Sequence, residues 1–351
     1  MSSRAHGCTS AAPAGYRATL GLRRREEAIK FIKDAFECRL AAALNLSRAS
    51  APVAVASDTG LNDHLNGVER PVSFTVKALG CRAEIVQSLA KWKRAALADY
   101  GMRPGEGLYT DMNAVRPDDV LDSLHSVYVD QWDWERVITA RDRTVAFLRG
   151  VVRRIYATIR TAERRTCKRF PSVGRPFLPP RITFVHSEQL ALTYPCLTPK
   201  QREYAICREV GAVFVVGIGA PLFGGEPHDG RAPDYDDWST LSELGRPGLN
   251  GDLLVWYPVL GCPMELSSMG IRVDPAALRR QLALRGRQAE ARLPFHRRLL
   301  AGRLPLTIGG GIGQSRLCML FLRCAHIGEV QAGIWPDRLR RICCRKGIVL
   351  L

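Results

Sequence analysis

A single α+β domain is what this sequence predicts, and three observations carry that expectation. Strand and helix patterns follow one another without a regular βαβ rhythm, no internal repeat is visible, and no second block of composition interrupts the chain. At 351 residues, 46% hydrophobic and 24% charged, the chain is ordinary globular material, enough for one large domain. No run approaches the roughly 18–20 apolar residues that a membrane span needs, so the chain reads as soluble.

The elements follow in order. Between residues 26 and 46 the apolar positions Ile29, Ile32, Phe36, Leu40 and Ala43 recur every three or four residues, which predicts an amphipathic helix. Residues 52–57 and 73–79 read as strands, with the irregular loop GLNDHLNG between them. Residues 88–101 read as a helix stopped by Gly101. NAVRP, a polar loop and HSVYVDQWDWE predict a strand, a loop and a returning strand. Residues 141–165 contain no proline and a single glycine, Gly150, and read as a long helix. Four prolines make 171–183 a loop. Residues 211–219 and 252–259 are buried-strand candidates, 275–287 a helix, and 315–322 the start of the last one.

Charge is concentrated at the ends. Arg4, Arg17, Arg23, Arg24 and Arg25 precede the first acid, and Arg338, Arg340, Arg341, Arg345 and Lys346 follow the last, which accounts for ten of the seventeen excess positive charges. The expected division is a basic, disordered extension over 1–24, one domain over 25–337 and a basic tail over 338–351. Solvated tails explain this charge, and attraction to RNA or anionic surfaces is the other reading. The acid-free N-terminus also fits an organellar transit peptide, although it lacks a clear apolar face. The expected location is cytoplasmic, with the organelle as the alternative. Eleven cysteines without CxxC spacing predict reduced thiols.

Four segments carry chemistry. In HSVYVDQWDWE, strand alternation places Val127, Val129, Gln131, Asp133 and Glu135 on one face and Tyr128, Asp130, Trp132 and Trp134 on the other. The first face is either a solvated surface or a site, and Arg116 across the hairpin loop points to a site, since its planar fork matches phosphate or carboxylate. IGGGIGQSRL permits close backbone approach and positive φ, and sets Arg316 near a helix start. It is not a Walker loop, and alone it is weak. In ELSSMGIRVD, Glu265 together with Asp252 offers hard oxygen ligands for Mg²⁺, Arg272 is a second phosphate candidate, and the small residues predict a bulge. RAPDYDDWS packs three acids and two aromatics into nine residues, able to bind an amino group or to form an exposed acidic turn.

Together with SLAKWKR, GEGLYT, GLNGD and HIGEVQAGIWP, these segments resemble the ammonia-dependent aspartate–ammonia ligases, the A-type asparagine synthetases, across residues 26–337. SVYVDQWDWE and RAPDYDDWS are highly specific to that family. The resemblance implies a class II aminoacyl-tRNA synthetase-like antiparallel sheet flanked by helices, a homodimer, and Mg²⁺ with ATP as co-substrate. It implies formation of β-aspartyl-AMP and pyrophosphate from L-aspartate, then displacement of AMP by ammonia to give L-asparagine.

By carry-over, Asp63, Arg116 and Gln131 are catalytic. Ser88, Lys93, Asp133, Tyr235, Asp236 and Ser268 join Asp63 and Gln131 in the substrate pocket, where Arg316 also reaches. Arg116, Asp252, Glu265, Arg272, Gly311, Gly313 and Arg316 bind the nucleotide, and Asp252 and Glu265 hold the metal. Ammonia arrives largely as ammonium, so a carboxylate must take its proton, and Asp63 or Asp236 is the candidate. Three departures from the family pattern, Gln87 for His, Asn66 for Ser and Leu241 for Pro, neighbour the site without occupying it.

A tRNA-charging enzyme is the first rival, but about 25 residues before the first helix leave no room for an anticodon-binding domain of roughly 100 residues. A catalytically dead relative would lack Arg116, Gln131, Asp133 or Arg316, and all are present. A glutamine-dependent enzyme would need a glutaminase unit. Ammonia is therefore the expected nitrogen donor, and neither nucleic acid nor membrane is an expected partner.

Overall fold

The computed structural model describes residues 13, 15–63, 65 and 69–351. Helix α1 (Leu22–Leu44) buries Ala28, Ile29, Ile32, Phe36, Leu40 and Leu44 along one stripe, as its spacing predicts. Asn45 ends it in the left-handed region at φ 57°, donating its N–H to Ala41 O. Strand β1 (Leu46–Arg48) leads to a small antiparallel sheet of β2 (Ala54–Ala56), β3 (Ser73–Val76) and β4 (Cys81–Ile85), ordered β2-β4-β3. The segment joining β2 to β3 carries Asp63.

Helix α2 (Ala90–Asp99) stops just before Gly101, and β5 (Gly107–Val115) and β6 (Tyr128–Val137) form the expected hairpin. Helix α3 (Val145–Arg169) starts later than its pattern suggests, because Thr144 caps it by accepting from Phe147 N at 3.1 Å. There follow β7 (Thr183–His186), α4 (Ser187–Thr193), α5 (Pro199–Val210) with its Thr198/Gln201 capping box, and β8 (Ala212–Val216). The remainder is β9 (Asn250–Tyr257), β10 (Cys262–Ile271), α6 (Pro275–Leu284), α7 (Pro294–Leu300), β11 (Thr307–Gly313), α8 (Gln314–Leu322) and α9 (Asp337–Arg345).

One eight-stranded sheet organises these elements, in the order β1-β5-β6-β11-β10-β9-β8-β7. Its six central strands are antiparallel, and β1 and β7 pair parallel at the edges. Trp132 and Trp134 of β6 are fully buried, and the ring of Trp132 lies 4.7 Å from that of Phe36 on α1. The main core therefore sits between α1, α3, α8 and one sheet face. Strand alternation turns Gln131 and Asp133 to the opposite face, where the site is built.

Both chain ends depart from expectation. Residues beyond 337, expected as a tail, form α9, and Leu339, Cys343 and Ile348 are buried in the main core. Leu339 and Cys343 on the helix, with Ile348 just after it, are enough to dock so short a segment, and the surrounding arginines mask them in composition. At the other end Arg25 is buried and donates to Glu329 O at 3.2 Å and Val349 O at 3.0 Å. Tyr16 donates to Glu329, and Thr19 to Leu322 O at 3.0 Å, so the described part of 1–24 is docked rather than disordered. Residues 1–12 and 14, half of the first 25 on which the transit-peptide alternative rests, lie outside the described residues, as does Asn66. Among the described residues nine cysteines are free, but Cys262 is disulfide-bonded, against the expectation of reduced thiols. Among the described residues no helix is long and apolar enough to cross a membrane.

Candidate active site

A cavity of about 520 Å³ opens over β6, β11 and β10, walled by the Asp63 loop and the β5–β6 loop on one side and by residues 229–236 on the other. Gln131 and Asp133 of β6 line it, as alternation requires. Gly310, Gly311 and Gly313 of β11 form its base, with Glu265 and Ser268 of β10 beside them. Glu265 and Ser268, three apart, would face opposite ways on a regular strand; the predicted bulge between Glu265 and Ser267 lets both reach the cavity.

The glycine run lies in strand β11, and Gly309, Gly310 and Gly311 all avoid positive φ. Their smallness serves close approach alone. A Cβ on Gly310 would lie 2.5 Å from both Met269 Cβ and Ser268 O, while Cβ atoms on Gly309 and Gly311 would run into the Glu135 and Gln131 side chains. Because the β10 main chain cannot retreat, Gly310→Ala is expected to cost about 1–3 kcal/mol, read as a lower midpoint in urea unfolding. An unchanged midpoint would show that the strands can part without penalty.

Most cations of the site are already neutralised. Lys93 of α2, expected to touch substrate, instead lies beneath the cavity, fully buried, where it ion-pairs with Asp133 and donates to Trp134 O at 3.0 Å. Burial pushes its pKa down, and Asp133 and Glu135 oppose that. Arg272 does line the cavity, but it grips Glu135 through Nε at 3.0 Å and Nη2 at 2.8 Å and bonds Asp236 through Nη1. Although burial alone would raise the Glu135 pKa, Arg272 holds it below its ordinary value. Tyr235 stands against the Arg272 guanidinium at 5.7 Å, and its burial keeps the phenol protonated.

Arg231 is the residue that motif reading missed, since only the acids of RAPDYDDWS drew attention. It donates to Ser268 Oγ at 2.6 Å, ion-pairs with Asp252, and lies 3.5 Å from Asp236 Oδ2. Asp252 therefore sits behind Arg231, outside the cavity lining, while Glu265 lies within it. Burial pushes Asp252 up to about 7; Arg231 opposes the shift and the Glu265 carboxylate adds to it. Glu265 is thus the hard-oxygen donor that faces the cavity and fits a divalent cation such as Mg²⁺. A second candidate group, Asp234, Glu290 and His296, already has Lys91 Nζ at 2.6 Å from Asp234 and His296 Nε2 at 2.9 Å.

Two arginines differ. Arg116 touches only Gln87 O, at 3.4 Å, and its buried Nε has no partner. Arg316, in the first turn of α8, donates to Glu265 O at 2.9 Å. Among the described residues neither pairs with a carboxylate, and both line the cavity, leaving two guanidinium groups for anions. Ser88 and Asp63 complete the wall on the Arg116 side. Asp63 accepts from Leu65 N at 2.9 Å, and its burial raises its pKa, with Lys91 opposing.

A profile of the family described as aspartate-ammonia ligase matches residues 23–347. The chain is 56% identical over 340 residues to the aspartate–ammonia ligase of Parabacteroides distasonis, covering 97% of this chain and 98% of that one. It is 52% identical over 335 residues to that of Bacillus cytotoxicus, covering 95% and 99%. Among solved structures it is similar to asparaginyl-tRNA synthetase from Pyrococcus horikoshii complexed with asparaginyl-adenylate, with a TM-score of 0.64 at 15% identity over 89% of this chain and 70% of that one. Aspartyl-tRNA synthetase from Entamoeba histolytica gives 0.60 at 14% identity, over 90% and 59%. At such identities the likeness shows the fold, the class II synthetase core.

Proposed function

The chain belongs to the aspartate–ammonia ligase family, and on that premise we propose that its cavity joins ammonia to L-aspartate through a β-aspartyl-AMP intermediate. The protein is an aspartate–ammonia ligase, an enzyme of asparagine biosynthesis that uses ATP. The observation that carries the proposed route is that Arg116 and Arg316, alone among the described cations lining the cavity, pair with no described carboxylate. A carboxylate and a triphosphate must meet there, and fixed positive charge offsets their repulsion.

In the first step an oxygen of the aspartate β-carboxylate attacks the α-phosphorus, and the bond to pyrophosphate breaks. Arg116 takes the charge that develops on the α-phosphate, and Arg316 holds the far end of the nucleotide over Gly311 and Gly313. Glu265, in the cavity lining, would hold Mg²⁺, which supplies charge neutralisation to the phosphates when bound, while Asp252, assigned to the metal by resemblance, is engaged by Arg231. Arg272, assigned to the nucleotide by resemblance, acts by fixing Glu135 and Asp236. Ser88, Gln131, Asp133, Tyr235 and Ser268 surround the aspartate, with Lys93 setting Asp133 from below.

In the second step ammonia nitrogen attacks the β-carbonyl carbon, the bond to AMP breaks, and the nitrogen loses a proton. Asp236 is occupied by its ion pair with Arg272 and lies 3.5 Å from Arg231. Asp63 has a raised pKa and a single N–H donor, so the proton goes there. Asp63→Asn is expected to lower asparagine formation about a hundredfold while ATP–pyrophosphate exchange with aspartate changes little. Equal loss of both would remove Asp63 from the ammonia step. Supplying ammonium and glutamine in parallel tests the nitrogen donor, and exchange without asparagine would point to another acceptor. A cytoplasmic homodimer completes this reading, and light scattering of the purified protein tests the dimer.

A further inference from the structure

Asp63 sits on a connection that is neither helix nor strand, between Gly60 at φ 72° and Leu65 at φ 49°. Something must hold its carboxylate still, because a general base acts only within hydrogen-bond reach of its proton. The neighbouring side chain has the required contacts. Asn62 is 4% exposed, and its carboxamide oxygen accepts from Asp63 N and from Gln87 N, both at 2.9 Å. Its nitrogen donates to Glu84 Oε2 at 3.0 Å and to Ile85 O at 3.2 Å. All four hydrogen-bonding positions of the amide are therefore used, one on Asp63 itself and three on β4 and the turn that leads to Ser88 and α2.

We propose that Asn62 is the positioning residue of the ammonia step, pinning the Asp63 loop to β4 and to Gln87; this rests on the reading of Asp63 as proton acceptor. The split between the two chemical steps follows from how each neighbour is otherwise held. Gln87 lies between β4 and α2 and its carbonyl also receives Arg116, so Ser88 and Arg116 keep their places without Asn62. Among the described residues Asp63 has no comparable second support: apart from Asn62, its hydrogen bond there is the one from Leu65 N to its own carboxylate. Loss of the pin therefore displaces the base while leaving the adenylating arginine in place.

The test uses the full chain and reads asparagine formation against ammonium concentration, ATP–pyrophosphate exchange with aspartate, and Tm. Asn62→Ala is expected to cut asparagine formation about a hundredfold and to raise the ammonium KM, with exchange within about threefold of wild type. Asn62→Asp keeps both acceptor contacts but sets a second carboxylate against Glu84. Adding Glu84→Gln returns a donor to that contact, so the paired change is expected to recover asparagine formation that Asn62→Asp alone loses. Equal loss of exchange and asparagine formation, no loss at all, or a paired variant that regains Tm without activity would each overturn the proposal. Asp63→Asn run alongside separates the two failures. Where it lowers both activities equally, the Asp63 reading falls and takes this inference with it. Where it is selective and Asn62→Ala is not, only the pin falls. Should Asn62→Ala not fold, the paired exchange reads the same split.

Discussion

Arg272→Met is expected to destabilise the protein by about 3–5 kcal/mol, the largest stability loss of any single change at the site. Arg272 lies between Glu135 and Asp236, and all three are buried, at 3%, 0% and 1% exposure. Removing the cation leaves two carboxylates out of water. Lys93, 3.9 Å from Glu135 and committed to Asp133, cannot serve both. The pH dependence carries a definite sign. Glu135 is depressed in the folded state, so its contribution is present above its unfolded pKa, near 4.5, and lost as pH falls through the lower folded value. The deficit of the variant should be greatest at neutral pH and shrink on acidification. Urea unfolding at two pH values measures this, and a deficit under about 1 kcal/mol at neutral pH would mean that the carboxylates simply take up protons.

Arg116→Ala should do the reverse, abolishing chemistry while sparing the fold. Among the described residues its guanidinium makes a single, long hydrogen bond, to Gln87 O, so little stability depends on it. Asparagine formation and pyrophosphate exchange should both fall about a thousandfold, because the adenylate itself no longer forms. Lysine in its place should restore little, since a point charge cannot bridge two phosphate oxygens as the fork does. The contrast with Asp63→Asn, which spares exchange, assigns the two residues to different steps. A variant that lost asparagine formation but kept exchange would move Arg116 out of the adenylation step.

Much of this arrangement was legible in the residues. Period-two alternation alone sorted Gln131, Asp133 and Glu135 from the two tryptophans, because one face of β6 meets a core and the other a site. The bulge in β10 was visible in its small residues. What the sequence concealed has physical causes. Lys93 and Asp252 lie one layer behind the cavity, and linear order does not tell a residue that touches a ligand from one that holds its neighbour. Arg231 was hidden among more conspicuous acids. Helix α9 was hidden by arginines, whose charge outweighs three apolar side chains in any composition count. The glycine run admitted both positive φ and close approach, because glycine signals both conformational freedom and lack of volume, and only the packing shows which is in use.

The strand of glycines at the base of the cavity also bears on how such a site can change over generations. A wall of side chains can be retuned by small steps, each trading one shape for another. A surface of bare peptide groups offers no such steps, since every substitution adds bulk where neighbouring atoms already touch. Inherited variation at Gly309, Gly310 and Gly311 can therefore abolish the activity but has little room to redirect it. New substrate preferences must come from the surrounding loops, where Asp63, Ser88 and Tyr235 reside.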